Sequence, residues 1–263
     1  MIQPAGERLP ASWKGRAFRA WPLDCGLLRV PERPADGARA GRSRFTLPLR
    51  ACVIRGDGLT LLVDCGPDPG LMQHLPDLAW QAPEHDLETQ LDILGVPAET
   101  VDHVVLTHLD GDHAGGLWNY GNERFPKAWV HVQQAALDWW RRELDGRARV
   151  RYFRRGDLER LMNCPRTLIH DGDWALEPRI EIWLREGHTP GHQVVRVEGE
   201  GGLLLAGDLL STRSSFRPGL RNDSDENPAE ATRLREELAR LDCSAWFLCH
   251  GMIPWQEQGL VVA

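Results

Sequence analysis

No stretch of this chain approaches the roughly 20 consecutive apolar residues of a membrane-spanning helix, and its opening, Met1 to Leu23, lacks the apolar centre of a secretion signal. Both absences point to a cytoplasmic protein. None of the six cysteines (Cys25, Cys52, Cys65, Cys164, Cys243, Cys249) shows CxxC spacing, and the chain is too long to depend on disulfide stapling, so reduced buried thiols are expected. Cys249 stands beside His250 but reads as a small apolar residue ending a strand. Excess positive charge is also missing. The formal net charge is -7, which excludes the broad basic field of extended nucleic-acid binding. No internal repeat or low-complexity tract occurs.

What is present is a chain of 263 residues, 42% hydrophobic, enough to bury a sizeable core and near the upper size of one domain, so residues 1–263 are expected to form a single domain. Leu49 to Gly56 and Leu59 to Cys65 are apolar runs joined at Asp57-Gly58, a hairpin signal. Residues 67–85 hold four prolines and read as an ordered loop, placed by its Leu71, Met72, Leu75, Leu78 and Trp80 at the border of a substrate entrance. Asp86 to Leu94 reads as a helix, Val101 to Thr107 as a buried strand, Ala128 to Val132 as a strand and Gln133 to Leu144 as a helix. From Thr167 to Asp208 the pattern becomes short strands, including Arg179 to Leu184, Gln193 to Val197 and Leu203 to Ala206. Asn227-Pro228 is an N-cap with an N1 proline, opening a helix to about Leu241, and Ala245 to Cys249 is a last strand. Two strand-rich halves, each with helices, predict an α/β protein with a β-sandwich covered by helices on both faces.

The chemistry gathers at strand ends. Thr107-His108-Leu109-Asp110-Gly111-Asp112-His113-Ala114-Gly115-Gly116 follows an apolar strand directly and offers two imidazoles and two carboxylates within six residues, with glycines that permit a tight backbone. Three more candidates end apolar segments or turns: His192 in GHTPGH, Asp208 in LLLAGD and His250 in AWFLCHG. A carboxylate at the end of a buried strand is costly without a cation or hydrogen-bond partners. A solvated acidic turn with incidental histidines explains the first segment alone, but not four such segments in one chain.

Together these segments resemble the metallo-β-lactamase superfamily from about Leu49 to Gly251: His108, Asp112 and His113 match its HxHxDH block, and His192, Asp208 and His250 its later ligands. The resemblance implies a four-layer αββα sandwich, with Asp64 of LLVDCG as a supporting strand-end residue. LLVDCG, DHAGG and TPGHQ look most like the branch holding N-acyl-homoserine lactonases. Asp110 departs from the second histidine of the block, giving an HxDxDH form similar to that of the competence-channel nucleases, and flavodiiron proteins carry an acidic residue there too. Leu209, Leu210 and Ser211 lack the tyrosine that assists known lactonases.

The resemblance further implies two divalent ions, the first on His108, Asp110 and His192, the second on Asp112, His113 and His250, with Asp208 bridging. Zinc is the first expectation, and the added hard oxygen of Asp110 admits manganese or iron. The implied reaction is hydrolysis by a hydroxide held between the ions, with Asp112 and Asp208 as catalytic residues and Asp112 passing the proton. The substrate expected is a small ester or lactone; a phosphodiesterase, a di-iron redox protein and a non-catalytic binding member are the alternatives. The partners expected are a small-molecule substrate and no membrane, with a homodimer left open. His188, four residues before His192, is either an orienter of a bound imidazole or a structural histidine in a turn. His74, His85, His103, His131 and His170 read as surface or satisfied core residues, Trp80, Trp118, Trp139 and Trp140 as core, and Arg147 to Arg155 as a solvated face.

Overall fold

A computed structural model describes residues 12–31, 44–70, 79–80, 83–119, 121–146, 155–222 and 224–257. Most of the loop expected at the substrate entrance, and the segment 147–154, lie outside the described residues.

Two sheets face each other. The first runs, in spatial order, Trp13–Lys14, Phe18–Pro31, Arg44–Gly56, Leu59–Val63, His103–Val105, Trp129–Gln133 and Thr167–His170, with Ala79–Trp80 added beside Phe18–Pro31. The second runs Trp174–Glu177, Ile180–Leu184, Gln193–Val197, Gly202–Leu205, Cys243–Phe247 and Trp255–Glu257. The two-residue period of a strand sorts its side chains between layers. Cys52, Ile54, Leu61, Val63 and Val105 turn inward to meet Ile180, Ile182, Val195, Leu203, Leu205 and Phe247 of the other sheet. Their neighbours Ala51, Val53, Leu62 and Val104 turn outward, onto Leu87 and Leu91 of the helix Leu87–Ile93 and Leu137 and Trp140 of the helix Gln134–Gly146. On the far side Val194, Leu204 and Trp246 pack on Ala231, Leu234 and Leu238 of the helix Pro228–Ala239. The layers are therefore helix, sheet, sheet, helix, as expected. A slip of one residue in any of these strands would exchange its two faces, and each large aliphatic side chain is worth about 1.5–3 kcal/mol when buried, so the register is strongly held.

Local signals explain most boundaries. Asp57 (φ 50°) and Gly58 (φ 78°) form the expected hairpin. Asp86 accepts from the backbone N–H groups of Glu88 and Thr89, and Asn227 from that of Glu230, so both helices begin at capped ends. Two elements depart from expectation. Phe18–Pro31 is a long strand although Pro22, Asp24 and Gly26 interrupt its apolar pattern, because a bulge between Asp24 and Gly26 absorbs the irregularity. Arg155–Asn163 is a helix whose Leu158 and Leu161 enter the core, at the end of what reads as a solvated arginine-rich run.

Two parallel pairs position the site. Leu59–Val63 runs parallel to His103–Val105 in the first sheet, and Gly202–Leu205 parallel to Cys243–Phe247 in the second. Parallel neighbours end on the same side, so Asp64 emerges next to Thr107 and His108, and Asp208 next to Cys249 and His250.

Candidate metal centre

The centre is assembled from Asp64 upward. This residue ends its strand at φ 60°, a conformation that Asp tolerates better than most residues, and its carboxylate accepts from the Thr107 backbone N–H (2.7 Å) and hydroxyl (2.8 Å) and from Nδ1 of His113 (2.8 Å). With its own hydrogen given to Asp64, Thr107 Oγ1 accepts from Nδ1 of His108 at 3.0 Å. Two imidazoles are thus fixed with Nδ1 carrying the proton and Nε2 turned to the centre. His188 and His250 are held in the same manner: Nδ1 of His188 donates to Asp225 (3.1 Å), and Nδ1 of His250 to the carbonyl of Pro48 (2.8 Å). Asp225 is buried and also takes Nη2 of Arg235 at 2.8 Å. Four imidazoles with an anchored Nδ1 and an inward Nε2 are what metal ligation requires.

The facing atoms fall into two groups that share one carboxylate. Oδ1 of Asp208 lies 3.1 Å from Nε2 of His250 and 3.3 Å from Nε2 of His113, which are 3.3 Å from each other. Oδ2 of Asp208 lies 3.4 Å from Nε2 of His188. Asp110 places one oxygen 3.5 Å from Nε2 of His188 and 3.5 Å from Nε2 of His108, so its short side chain reaches the first group. Asp112 stands at the edge of the second, 3.6 Å from Nε2 of His250 and 3.9 Å from Nε2 of His113. Cys249 Sγ is 3.5 Å from Oδ1 of Asp208 and closes the second group, in which one atom each from His113, Asp208, Cys249 and His250 lie within 4.8 Å of one another. The corresponding tight group on the other side is His108, His188 and Asp208.

His192 is the correction. It belongs to neither group. Among the described residues neither of its buried ring nitrogens has a hydrogen-bond partner. Instead its ring packs beside His108, with centroids 5.1 Å apart, and its Nε2 fills the space beside Gly207, where an added Cβ would lie 2.7 Å from it. Gly207 has φ 50° and directly precedes Asp208, so His192 and this glycine shape the backbone under the shared carboxylate. Of the two histidines in GHTPGH the structure brings in His188. Cys249 is buried in the core between the sheets, as expected, and its sulfur also faces two oxygens, Oδ1 of Asp208 and the carbonyl of Gly207, each at 3.5 Å.

Close approach explains the glycines of the first segment. A Cβ on Gly116 would collide with the carbonyl of Cys65, so only glycine lets the turn after His113 lie against the strand end that carries Asp64.

The electrostatics ask for positive charge. Burial alone would lower His113, but Asp64, Asp112 and Asp208 outweigh it and hold the imidazole well above its ordinary pKa. Burial is likewise overcome at His188, raised to about 9 chiefly by Asp208, and at His250, raised by Asp208 and Asp112. Asp208, surrounded by His250, His113 and His188, is held well below the carboxylate range in spite of its burial. His108 is lowered by burial and by His113, and its buried Nε2 presents a lone pair to the centre, 3.5 Å from Asp110. A divalent cation in each group would supply the charge these carboxylates attract and take up that lone pair, so the residues present fit a two-metal site.

Residues 50–250 match the family model described as the metallo-beta-lactamase superfamily. A probable metallo-hydrolase, YqjP, of Bacillus subtilis (strain 168) is 29% identical over 235 residues, covering 80% of this chain and 69% of its own length. An N-acyl homoserine lactonase of Bacillus cereus is 28% identical over 162 residues, covering 60% of this chain and 59% of its own length. Among solved structures, AidC, described as a dizinc quorum-quenching lactonase, superimposes with a TM-score of 0.72 over 97% of this chain and 100% of its own, at 17% identity.

Proposed function

The chain belongs to the metallo-beta-lactamase superfamily as a metal-dependent hydrolase, and we propose that its substrate is a small ester or lactone. The observation that carries the hydrolytic reading is the division of Asp208, whose two oxygens face two separate sets of imidazole nitrogens. His108, Asp110, His188 and Oδ2 of Asp208 would hold one divalent ion, and His113, His250, Asp112 and Oδ1 of Asp208 the other. Bound there, the ions would lower the pKa of a water and polarise the scissile carbonyl. Asp112 keeps partial access to solvent and is the group assigned to accept and pass on the proton, while Asp208 keeps the two sets in register.

Substrate class rests on two supports. One is the N-acyl homoserine lactonase relative. The other is the turn after His250, where Met252 and Ile253 are 80% and 51% exposed and offer apolar contact to a substrate with a hydrocarbon part. Leu209 and Leu210 are fully buried, so the segment after Asp208 brings no phenol to the site and proton transfer falls to Asp112.

Charge bears on metal identity. Two divalent ions carry +4, and Asp110, Asp112 and Asp208 reduce this to +1, one less than a histidine at position 110 would leave. Zinc is the first choice, and the hard oxygen of Asp110 favours manganese or iron at the first position relative to an all-imidazole set. The HxDxDH form that Asp110 gives, similar to that of the competence-channel nucleases, makes a phosphodiester the second reading. The deciding experiment strips the protein with chelator, restores zinc, manganese or iron, and assays a panel of lactones, aryl esters and aryl phosphodiesters. Metal-dependent turnover of the lactones or esters is the result expected; turnover of the phosphodiesters alone would overturn the substrate class.

A further inference from the structure

Resting on the reading that the second group binds a metal ion, we propose that Cys249 is one of its ligands, completing a set of two imidazoles, one carboxylate oxygen and one thiolate. Four edges of the set can be measured. The nitrogens of His113 and His250 are 3.3 Å apart, Oδ1 of Asp208 is 3.3 Å and 3.1 Å from them, and Sγ of Cys249 is 3.5 Å from that same oxygen. Bonds of about 2.0–2.1 Å to nitrogen or oxygen and about 2.3 Å to sulfur give tetrahedral edges of about 3.3 Å between the lighter atoms and about 3.5 Å from oxygen to sulfur. The measured edges have those lengths. Asp112, at 3.6 Å and 3.9 Å from the two imidazoles, is the looser neighbour and lies outside the tight group.

The placement of the thiol supports a role beyond packing. Cys249 is 1% exposed two residues beyond the strand Cys243–Phe247, whose Ala245 and Phe247 turn inward as hydrocarbon, yet its sulfur lies against a carboxylate and a carbonyl oxygen. Without a cation the S–H donates to Asp208. On binding, that proton leaves to solvent and a sulfur lone pair forms the bond to the ion, with no change of oxidation state. The two positions then differ in kind. The first, with Asp110, is harder, and the second, with sulfur, is softer and selects zinc or cobalt over manganese. Asp112 is left less committed to the ion and more available as a base.

The test uses the full chain, stripped and reloaded with cobalt(II) or zinc, and reads ligation instead of turnover. Cobalt protein should show an intense near-ultraviolet sulfur-to-cobalt charge-transfer band that is lost in Cys249→Ser and kept in Cys243→Ser, whose buried thiol begins the strand that leads to Cys249. X-ray absorption of the zinc protein should show a sulfur neighbour at about 2.3 Å. That measurement on the parent decides the matter even if Cys249→Ser does not fold. Metal bound through nitrogen and oxygen alone, or a band that survives Cys249→Ser, would overturn the thiolate while leaving the metal centre standing. A chain that takes up neither metal would overturn both.

Discussion

Asp64 holds His113 by a 2.8 Å hydrogen bond from Nδ1, and this one contact decides that Nε2 is the nitrogen facing Asp208 and His250. The same carboxylate, through Thr107, fixes His108. Asp64→Asn keeps the residue's shape and its tolerance of φ 60°, but it cannot accept all of these hydrogens. Metal affinity should fall by about 10- to 100-fold, as for other losses of a partner behind a ligating imidazole, with the fold retained. Titration with a competing chelator, alongside circular dichroism, checks this; unchanged affinity would show that the two imidazoles orient themselves.

The two histidines of GHTPGH are separated by a second prediction. His188→Ala should remove about one equivalent of metal, because its Nε2 stands between Asp110 and Asp208. His192→Ala should keep both equivalents and lose stability instead, by about 1–3 kcal/mol, since it leaves a void against Gly207 and His108. Elemental analysis paired with chemical denaturation reads both effects. If His192→Ala lost metal and His188→Ala did not, the ligand set derived from the geometry would be wrong.

The limits of legibility lie in that same turn. An apolar strand that stops at a polar residue is visible in the sequence, and it marked Asp64, His108, Asp208 and His250. The choice between His188 and His192 is made by the backbone of the Thr189-Pro190-Gly191 turn, where Gly191 takes φ 70°, and by Asp225, which is distant in sequence but touches His188. Neither leaves a periodic signal. Cys249 looked apolar because its neighbours in the strand are apolar; only the parallel pairing of Gly202–Leu205 with Cys243–Phe247 sets it beside Asp208. The strand Phe18–Pro31 was hidden by a bulge that a two-residue period cannot accommodate.

Asp110 should re-specify the first position. Its carboxylate reaches both His108 and His188 at 3.5 Å, so the site has a hard oxygen where an imidazole would bring a neutral nitrogen. Asp110→His should raise zinc affinity and lower the preference for manganese at that position, and it restores one unit of positive charge. Competitive loading of parent and variant from one mixture of zinc and manganese, followed by elemental analysis, checks the direction. Equal metal ratios in the two proteins would make Asp110 a bystander.

A final prediction concerns a row of histidines away from the metal. His103 Nδ1 lies 2.9 Å from Nε2 of His131, whose Nδ1 lies 2.9 Å from Nε2 of His170, and the Trp174 ring stacks on both His131 and His170. Each of these contacts needs one N–H and one lone pair, which neutral rings supply. Burial, with the neighbouring imidazoles His103 and His170, lowers His131 from 6.5 to about 3. Asp102 and Glu177, which face His103, partly offset the effect of burial there. Between pH 6.5 and about 3 the unfolded chain carries a proton at residue 131 that the folded chain does not, so this group's contribution is intact above 6.5 and is lost as pH falls through the window. The slope approaches about 1.4 kcal/mol per pH unit at most. His131→Gln, which cannot titrate, should therefore lose stability less steeply than the parent on acidification, and the difference between the two curves isolates this residue from the metal-facing histidines. Urea denaturation at a series of pH values measures it. Parallel curves for the two proteins would mean that His131 takes up its proton equally well in the folded and unfolded chain, and the stacked row would then carry no acid sensitivity.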